Sequence, residues 1–429
     1  MAVSFRINVF ANGVGVAVMA LAPILAIPWY LRLLGPEQWG LVAFLTSMLA
    51  VLAGIDAGFG QAIVREFYQR VEAKADTSNH QALLLYGLER IYLIFAVLTA
   101  LLIAVTAHWL AVHWLKLDGL EPGLGLFALV GGGVLFAVQF PGSVYRSVLI
   151  GTQAQVTLNL VLVFATLLRH LGGILILLAW PTLQIFIVWL VLVSLLETLV
   201  RRRLVWRILE KQQKKLFWDY RALRKLLVPA VGLSGAVLLG VLAIHVDKLV
   251  LSRILPIEQF GYYAIAATVA FGALQAIYPL ANAALPKIVQ LRDAPEALFK
   301  FNLKLVILII GIVAVSTLVF SIFGRQLLAM WLDDSRVETI VYSPLVILLL
   351  GSAMNAIYSV GYMNWLADGR NLTILWVNGS GLVLALLLVP FLVSRYGLEG
   401  AASGWFAINL MGVLIVLGGL GKRALAPYK

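Results

Sequence analysis

Three cations sit inside stretches that are otherwise apolar: Arg169 in "VLVFATLLRHLGGILILL", Lys248 in "AIHVDKLVLSR" and Arg90 in "YGLERIYLIF". A charge at the middle of a bilayer costs about 3 kcal/mol on insertion scales, so such a residue normally faces a cavity or a partner. A guanidinium can hold two oxygens of one phosphate or carboxylate, whereas an ammonium acts as a point charge. Arg169 lies roughly 13 residues into its apolar run, about 20 Å from the start at 1.5 Å per residue. His170 follows it directly and points about 100° away, so the two do not share a face. His245 precedes Lys248 by three residues and does share its face, while Asp247 points elsewhere. Arg169 therefore reads either as an anion ligand or as half of a structural pair with a neighbouring helix. Lys248 reads as a ligand, or as a side chain reaching the interface with Asp247 as counter-charge. Arg90 lies only about eight residues into its run, at an inner mouth or at the interface.

Two acids are placed for ion or proton chemistry. Asp56 in "GIDAGFG" is flanked by Gly54, Gly58 and Gly60, which allow close packing or a kink. It can carry a proton in a coupling cycle or bond to a neighbouring helix end. Asp247 can bind a coupling ion or pair with a cation such as Arg32. The amides Asn12, Gln139, Asn159, Gln275, Asn282, Asn355, Asn378 and Asn409 suit a sugar-lined cavity, and each equally suits an interhelical hydrogen bond. Enzymatic chemistry has no constellation here. There are no cysteines, and the five histidines show no metal-ligand spacing with acids. No GxSxG, HExxH or phosphate-cradling loop occurs, and no cofactor or metal is expected.

The elements that must position these residues are membrane spans. Hydrophobic residues make up 62% and charged residues 12% of the 429 residues, about half the charge a soluble domain carries. Twelve apolar runs of about 20 residues cover approximately 8–31, 38–63, 83–111, 123–149, 156–179, 184–200, 226–252, 259–285, 303–324, 343–366, 372–393 and 399–420. The first is too long for a signal peptide, so it is expected to be a span. The polar stretch 201–225 carries ten Lys/Arg against Glu210 and Asp219. With both termini on the side of that stretch, 23 of the 32 Lys/Arg fall there, six fall opposite, and three remain inside runs. The positive-inside rule then makes both termini cytoplasmic. Trp29, Trp39, Trp109, Trp114, Trp180 and Trp331 fall near the outer ends of the runs, as an aromatic belt. The basic stretch suits contact with anionic lipid; no nucleic-acid role is expected.

A nine-residue phrase occurs twice: "RLLGPEQWG" at 32–40 and "RILPIEQFG" at 253–261. Each copy joins an odd-numbered run to the next on the outer side, with six runs per period. The halves therefore enter the membrane in the same sense, as a parallel repeat. Pro36 with Glu37, and Glu258 in the second copy, read as helix starts. The phrase is an architectural corner. The expected organisation is an N-lobe at 1–200, a basic linker at 201–225 and a C-lobe at 226–429, all α.

"YLRLLGPEQWGLVAFLTSMLAVLAGIDAGFGQAIVRE", "FPGSVYRSVLIGTQAQ" and "HVDKLVLSRILPIEQFGYYAIAATVAFGALQAIYPLANAALPKI" resemble helices 1–2, 4 and 7–8 of the Wzx-type polysaccharide-export flippases. That family lies in a superfamily with the lipid II flippase and the MATE multidrug antiporters. The resemblance implies two six-helix lobes around a cavity that opens to alternate sides. It implies a polyprenyl diphosphate-linked oligosaccharide as cargo, moved from the cytoplasmic to the periplasmic leaflet of the bacterial inner membrane. Arg169, Lys248, Arg90 and His245 would then line the cavity. Arg65 and Arg146 would meet the diphosphate at the inner entrance, or simply obey positive-inside topology. Arg32 and Arg253 would line the outer exit, or cap helix C-termini. Asp56 and Asp247 are the ion-coupling candidates, with H+, Na+ or the membrane potential as energy source. Membrane lipids, a polysaccharide polymerase and other assembly proteins are the implied partners. Twelve helices rather than fourteen leave no pair for the tail groove of the lipid II branch. The competing readings are an ion-coupled antiporter of cationic drugs and a non-transporting assembly protein.

Overall fold

The computed structural model describes residues 5–72, 78–117, 119–209 and 218–425, nearly all of them helical. The side chains of Asn12 and Asn282, and residues 210–217 of the basic stretch, lie outside the described set. The chain divides into two compact units, Met1–Leu238 and Leu239–Lys429, with the division inside one helix.

Unit 1 begins with α1 (Phe5–Ala53), which breaks at Gly35 (φ 80°, ψ 164°). Only glycine adopts that left-handed φ without strain, and Pro36 restarts the helix at a position where its missing N–H costs nothing. The two halves fold back on each other: Tyr30 stacks on Trp39 with centroids 5.6 Å apart. A short 3₁₀ turn (Gly54–Asp56) leads into α2 (Ala57–Glu72). Next come α3 (Ser78–Trp109), α4 (Pro122–Gln139) and α5 (Pro141–Gly151); the last two are one bent rod, because Pro141 cannot donate to the preceding turn. α6 (Gln155–Leu167) and α7 (Gly173–Ala179) likewise form one rod, interrupted by a π-helical turn at Leu168–Gly172. α8 (Leu183–Leu209) carries Arg201, Arg202, Arg203 and Arg207 on continuous helix. The core joins Phe67, Leu84, Leu88, Tyr92, Phe140, Tyr145, Val148 and Val205. Meanwhile Leu98, Leu101, Leu102 and Val105 of α3 are exposed, as a lipid-facing surface requires.

α9 (Tyr220–Ile254) crosses the division, and unit 2 continues with α10 (Ile257–Gln290), α11 (Pro295–Leu332), α12 (Ser335–Ala367) and α13 (Asn371–Leu425). α12 packs against α10, α11 and α13, and the Asp334 carboxylate caps its start by accepting from the Arg336 and Val337 amides. α13 breaks at Gly397 (φ 55°, ψ −125°). The second copy of the phrase makes the corner between α9 and α10, where Pro256 has ψ 147°, close to the ψ of Gly35. Glu258 then sits in the first turn and accepts from Tyr262 Oη at 2.7 Å.

Among the described residues, eight helical stretches are long and apolar enough to cross a membrane, or nine counting the bent pair Tyr220–Gly232 and Val237–Ile254. Two of the eight, Ala17–Asp56 and Leu372–Gly418, contain the glycine breaks and run 40 and 47 residues. At 1.5 Å per residue each is about twice a hydrocarbon core, enough for two crossings. Trp39 departs from the expected aromatic belt: it is buried against Tyr30, while Trp29, Trp109 and Trp180 are exposed.

Candidate functional site

One cluster of charges in unit 1 is organised around Glu197, which the sequence reading did not single out. Arg169 donates from Nη2 to Glu197 Oε2 at 2.8 Å. Arg201 donates to the other oxygen, Oε1, and also to the Gly142 carbonyl at 3.4 Å. One carboxylate thus serves two guanidiniums, with side-chain exposures of 26% for Arg169 and 10% for Glu197 and Arg201. The π-helical turn positions Arg169, and its Leu168 carbonyl accepts from Trp189 Nε1 at 3.2 Å. His170 turns away, as helical spacing requires, to Tyr30 Oη at 3.0 Å.

A cavity of about 1430 Å³ opens between α3, α4–α5 and α8. Arg90, Arg202, Arg203 and Arg207 line it, with Glu89 as the acid among its lining residues. Glu89 Oε1 accepts from Tyr145 Oη at 2.8 Å, Arg202 Nε at 3.0 Å and Trp206 Nε1 at 2.7 Å. Arg90 is held by its own helix: Nη1 donates to the Tyr86 carbonyl at 3.2 Å, and the guanidinium carbon lies 3.3 Å from the Tyr86 ring centroid. Arg90 therefore belongs to this cavity and is not part of the Glu197 cluster.

Asp56 is buried at the break between α1 and α2, where it accepts from Tyr92 Oη. Arg146, Arg65 and Arg32 are exposed.

In unit 2, Asp247 is buried and accepts from Tyr263 Oη at 2.5 Å. Lys248 Nζ reaches both Asp247 oxygens at 3.3 Å. Adjacent backbone positions point these side chains apart, but the flexible lysine stem bends back to close the pair. His245 lies partly buried, with Nδ1 enclosed and without a hydrogen bond. Arg253 is exposed at the end of α9 and engaged with a neighbour. Three of the intrahelical amides take part in interhelical bonds: Gln139 to Ser194 at 2.9 Å, and Asn355 to Asn409 at 2.7 Å. A reciprocal Asn302–Asn364 pair is fully buried, at 3.0 and 3.2 Å. Gln275 is exposed.

Sequence reasoning missed Glu197, Tyr92 and Tyr263: the two tyrosines lie on other elements than the carboxylates they serve, and Glu197 pairs with Arg169 across helices as well as with Arg201 four residues on in α8. Arg201–Arg207, the opening of the expected basic linker, are helical and continue α8, on the face formed by Leu195, Leu199, Arg202, Arg203 and Trp206.

The family model described as "Polysaccharide biosynthesis protein" matches residues 5–292. The chain is 19% identical over 409 residues to a Shigella flexneri protein named "Putative O-antigen transporter", covering 94% of this chain and 95% of that one. Its fold is similar to an inward-facing multidrug resistance MATE family transporter of the MOP superfamily, with TM-score 0.75, 15% identity and 96% of each chain covered. It is also similar to the lipid II flippase MurJ in an inward closed conformation, with TM-score 0.74, 13% identity, and 97% of this chain and 87% of that one covered. The all-α membrane fold is thus MATE-like, and because the family match covers more than half of the sequence, the chain belongs to the polysaccharide biosynthesis protein family.

Proposed function

We propose that the protein is a flippase, moving a polyprenyl diphosphate-linked oligosaccharide from the cytoplasmic to the outer leaflet by alternating access. The observation that carries this reading is the Glu197 cluster. Two guanidiniums share one carboxylate among apolar helices, leaving an excess positive charge where charge is expensive. An incoming diphosphate can compete with Glu197 for Arg169, whose side chain is the more exposed of the two arginines. The transporter named for O-antigen and the lipid II flippase among the similar proteins support the same cargo class.

In this reading the chain crosses the inner membrane twelve times with both termini cytoplasmic, as an N-lobe (1–200), a basic linker (201–225) and a C-lobe (226–429). It performs no covalent chemistry on the cargo and hands it to the polymerase of surface-polysaccharide assembly. Arg65 and Arg146 receive the diphosphate, Arg32 and Arg253 release it, and Lys248 with His245 contributes from α9. Asp56 and Asp247 take part in ion coupling. A cation antiporter on the same fold is the weaker alternative, because the family match is to polysaccharide biosynthesis.

The test is leaflet translocation of a labelled polyprenyl diphosphate-oligosaccharide in proteoliposomes. Protein-dependent movement is expected. Efflux of a cationic dye under a proton gradient, with no lipid movement, would instead establish the antiporter.

A further inference from the structure

The cavity between α3, α4–α5 and α8 has a polarity gradient along its length that the transport reading does not use. On α8 its lining residues Leu195, Leu199, Arg202, Arg203 and Trp206 recur at helical spacing, spanning about 16 Å at 1.5 Å per residue. They run from leucines at one end to arginines and a tryptophan at the other. On α3 the lining residues Tyr86, Glu89, Arg90 and Leu93 make the same change in the opposite chain direction. The bonds from Arg202 and Trp206 to Glu89 fix the two helices so that the polar ends are level. The result is one basic end and one apolar end, the apolar end walled by the exposed Leu93, Leu195 and Leu199.

The basic end is prepared for an anion. Glu89 Oε1 already accepts three donors, so its charge is spent on Arg202, Tyr145 and Trp206. That leaves the lining with three positive charges in excess, from Arg90, Arg202, Arg203 and Arg207 against Glu89. Arg203 and Arg207 lie one helical turn apart and both are exposed. Arg90 is pre-oriented by Tyr86, which lowers the entropy cost of holding a ligand. The 1430 Å³ volume exceeds the about 300–1,000 Å³ of sites for drug-sized molecules and suits an elongated one.

We propose that this cavity binds a single phosphate-bearing membrane lipid. Its phosphate oxygens lie on Arg90, Arg202, Arg203 and Arg207, Trp206 sits at the head-group level, and its chain lies along Leu93, Leu195 and Leu199. The proposal stands on geometry and does not require the transport reading. The phosphate can come from a bilayer phospholipid or from a polyprenyl diphosphate, and the experiment separates these sources.

The full-length protein is purified in detergent and titrated by native mass spectrometry with phosphatidylglycerol, phosphatidylcholine, a polyprenyl diphosphate or inorganic phosphate. The wild type is expected to retain phosphatidylglycerol or polyprenyl diphosphate well above zwitterionic phosphatidylcholine, and the tighter of the two names the source. Arg203→Gln/Arg207→Gln is expected to weaken that adduct on the order of tenfold or more, since each basic residue near a lipid surface contributes about 1 kcal/mol. Both side chains are exposed, so the fold does not depend on them, and circular dichroism of the variant checks this. Leu199→Asp, at the apolar end, is expected to weaken long-chain lipids more than short-chain ones. Unchanged adducts in the double variant, or displacement of the lipid by equimolar inorganic phosphate, would overturn the proposal.

Discussion

Arg169 and Glu197 close a 2.8 Å salt bridge between the π-helical turn and α8. Arg201 takes the second oxygen of the same carboxylate from one turn further along α8. Glu197 is therefore the common dependency of one buried and one partly buried cation. Removing one partner of a buried pair costs about 3–5 kcal/mol, because the other charge is left uncompensated. Glu197→Gln strands two guanidiniums and is expected to lose at least that much. Arg169→Ala leaves the Glu197–Arg201 pair intact and should lose clearly less. Thermal unfolding in detergent orders the two variants; a Glu197→Gln protein as stable as wild type would show that the cluster is solvated.

Asp247 holds two different partners, and they can be separated. Asp247→Asn keeps an oxygen to accept from Tyr263 but removes the counter-charge of Lys248. Tyr263→Phe does the reverse: it removes a fully buried donor and keeps the ion pair. The tyrosine variant is expected to lose about 1–3 kcal/mol, the cost of leaving a buried acceptor short of a partner. If Asp247 takes part in ion coupling, Asp247→Asn loses transport at least tenfold while Tyr263→Phe retains most of it. Equal transport loss in both, tracking stability, would make Asp247 purely structural.

Much of the helical plan was legible because apolar length alone selects helix in a membrane. The corner at Gly35 and its counterpart at Pro256 were readable from a repeated phrase. Arg169 and Lys248 were conspicuous because a charge in an apolar run is rare. Their partners were not equally legible. Asp247 was already one of the two readings for Lys248, as its local counter-charge, and the flexible lysine stem closes that pair. Glu197 lies 28 residues from Arg169, next to a basic run that drew attention to itself as a linker. Tyr92 and Tyr263 read as ordinary aromatic core residues until the fold brought carboxylates to their hydroxyls. The cavity arginines were hidden by the assumption that helix stops where hydrophobicity stops, whereas α8 continues to Leu209.

Gly58 marks a backbone-to-backbone approach. A Cβ there would lie 2.3 Å from the Ser234 amide nitrogen and 2.5 Å from its Cα, so α2 and α9 would have to separate. Gly58→Ala is expected to destabilise by about 1–3 kcal/mol, as overpacking does. Gly235, one residue beyond Ser234, has nothing within 4 Å of its Cβ position. Gly235→Ala should instead be neutral or stabilise by up to about 1 kcal/mol through helix propensity. Opposite signs in thermal shift would establish the contact; equal signs would deny it.

The Asn302–Asn364 pair, buried and reciprocally bonded, tests how unit 2 tolerates polar groups in its core. Asn302→Leu leaves the Asn364 side chain without its interhelical partner, although Asn364 keeps a bond to the Val360 carbonyl at 2.7 Å. A loss of about 1–2 kcal/mol is expected, since membrane interhelical hydrogen bonds fall in that range or below it. The double variant Asn302→Leu/Asn364→Leu removes both amides and should recover part of that loss, so that its destabilisation is smaller than the sum of the two single variants in a double-mutant cycle. An additive cycle would mean that the two amides do not depend on each other.

Arg169 and Arg201 share one carboxylate but differ in access, and that difference predicts different transport phenotypes. Arg169 stands on the π-helical turn with a quarter of its side chain exposed, whereas Arg201 is packed against the Gly142 carbonyl. Under the proposed function, a cargo diphosphate would meet Arg169 before Arg201. Arg169→Ala is therefore expected to abolish translocation while leaving the protein folded, and Arg169→Lys, which keeps charge but not the bidentate fork, should retain part of it. Arg201→Lys should lower thermal stability before it lowers transport per folded molecule. Translocation normalised to folded protein decides the matter: full activity in Arg169→Ala would remove this residue from the transport path and leave the cluster as a brace between the π-helical turn and α8.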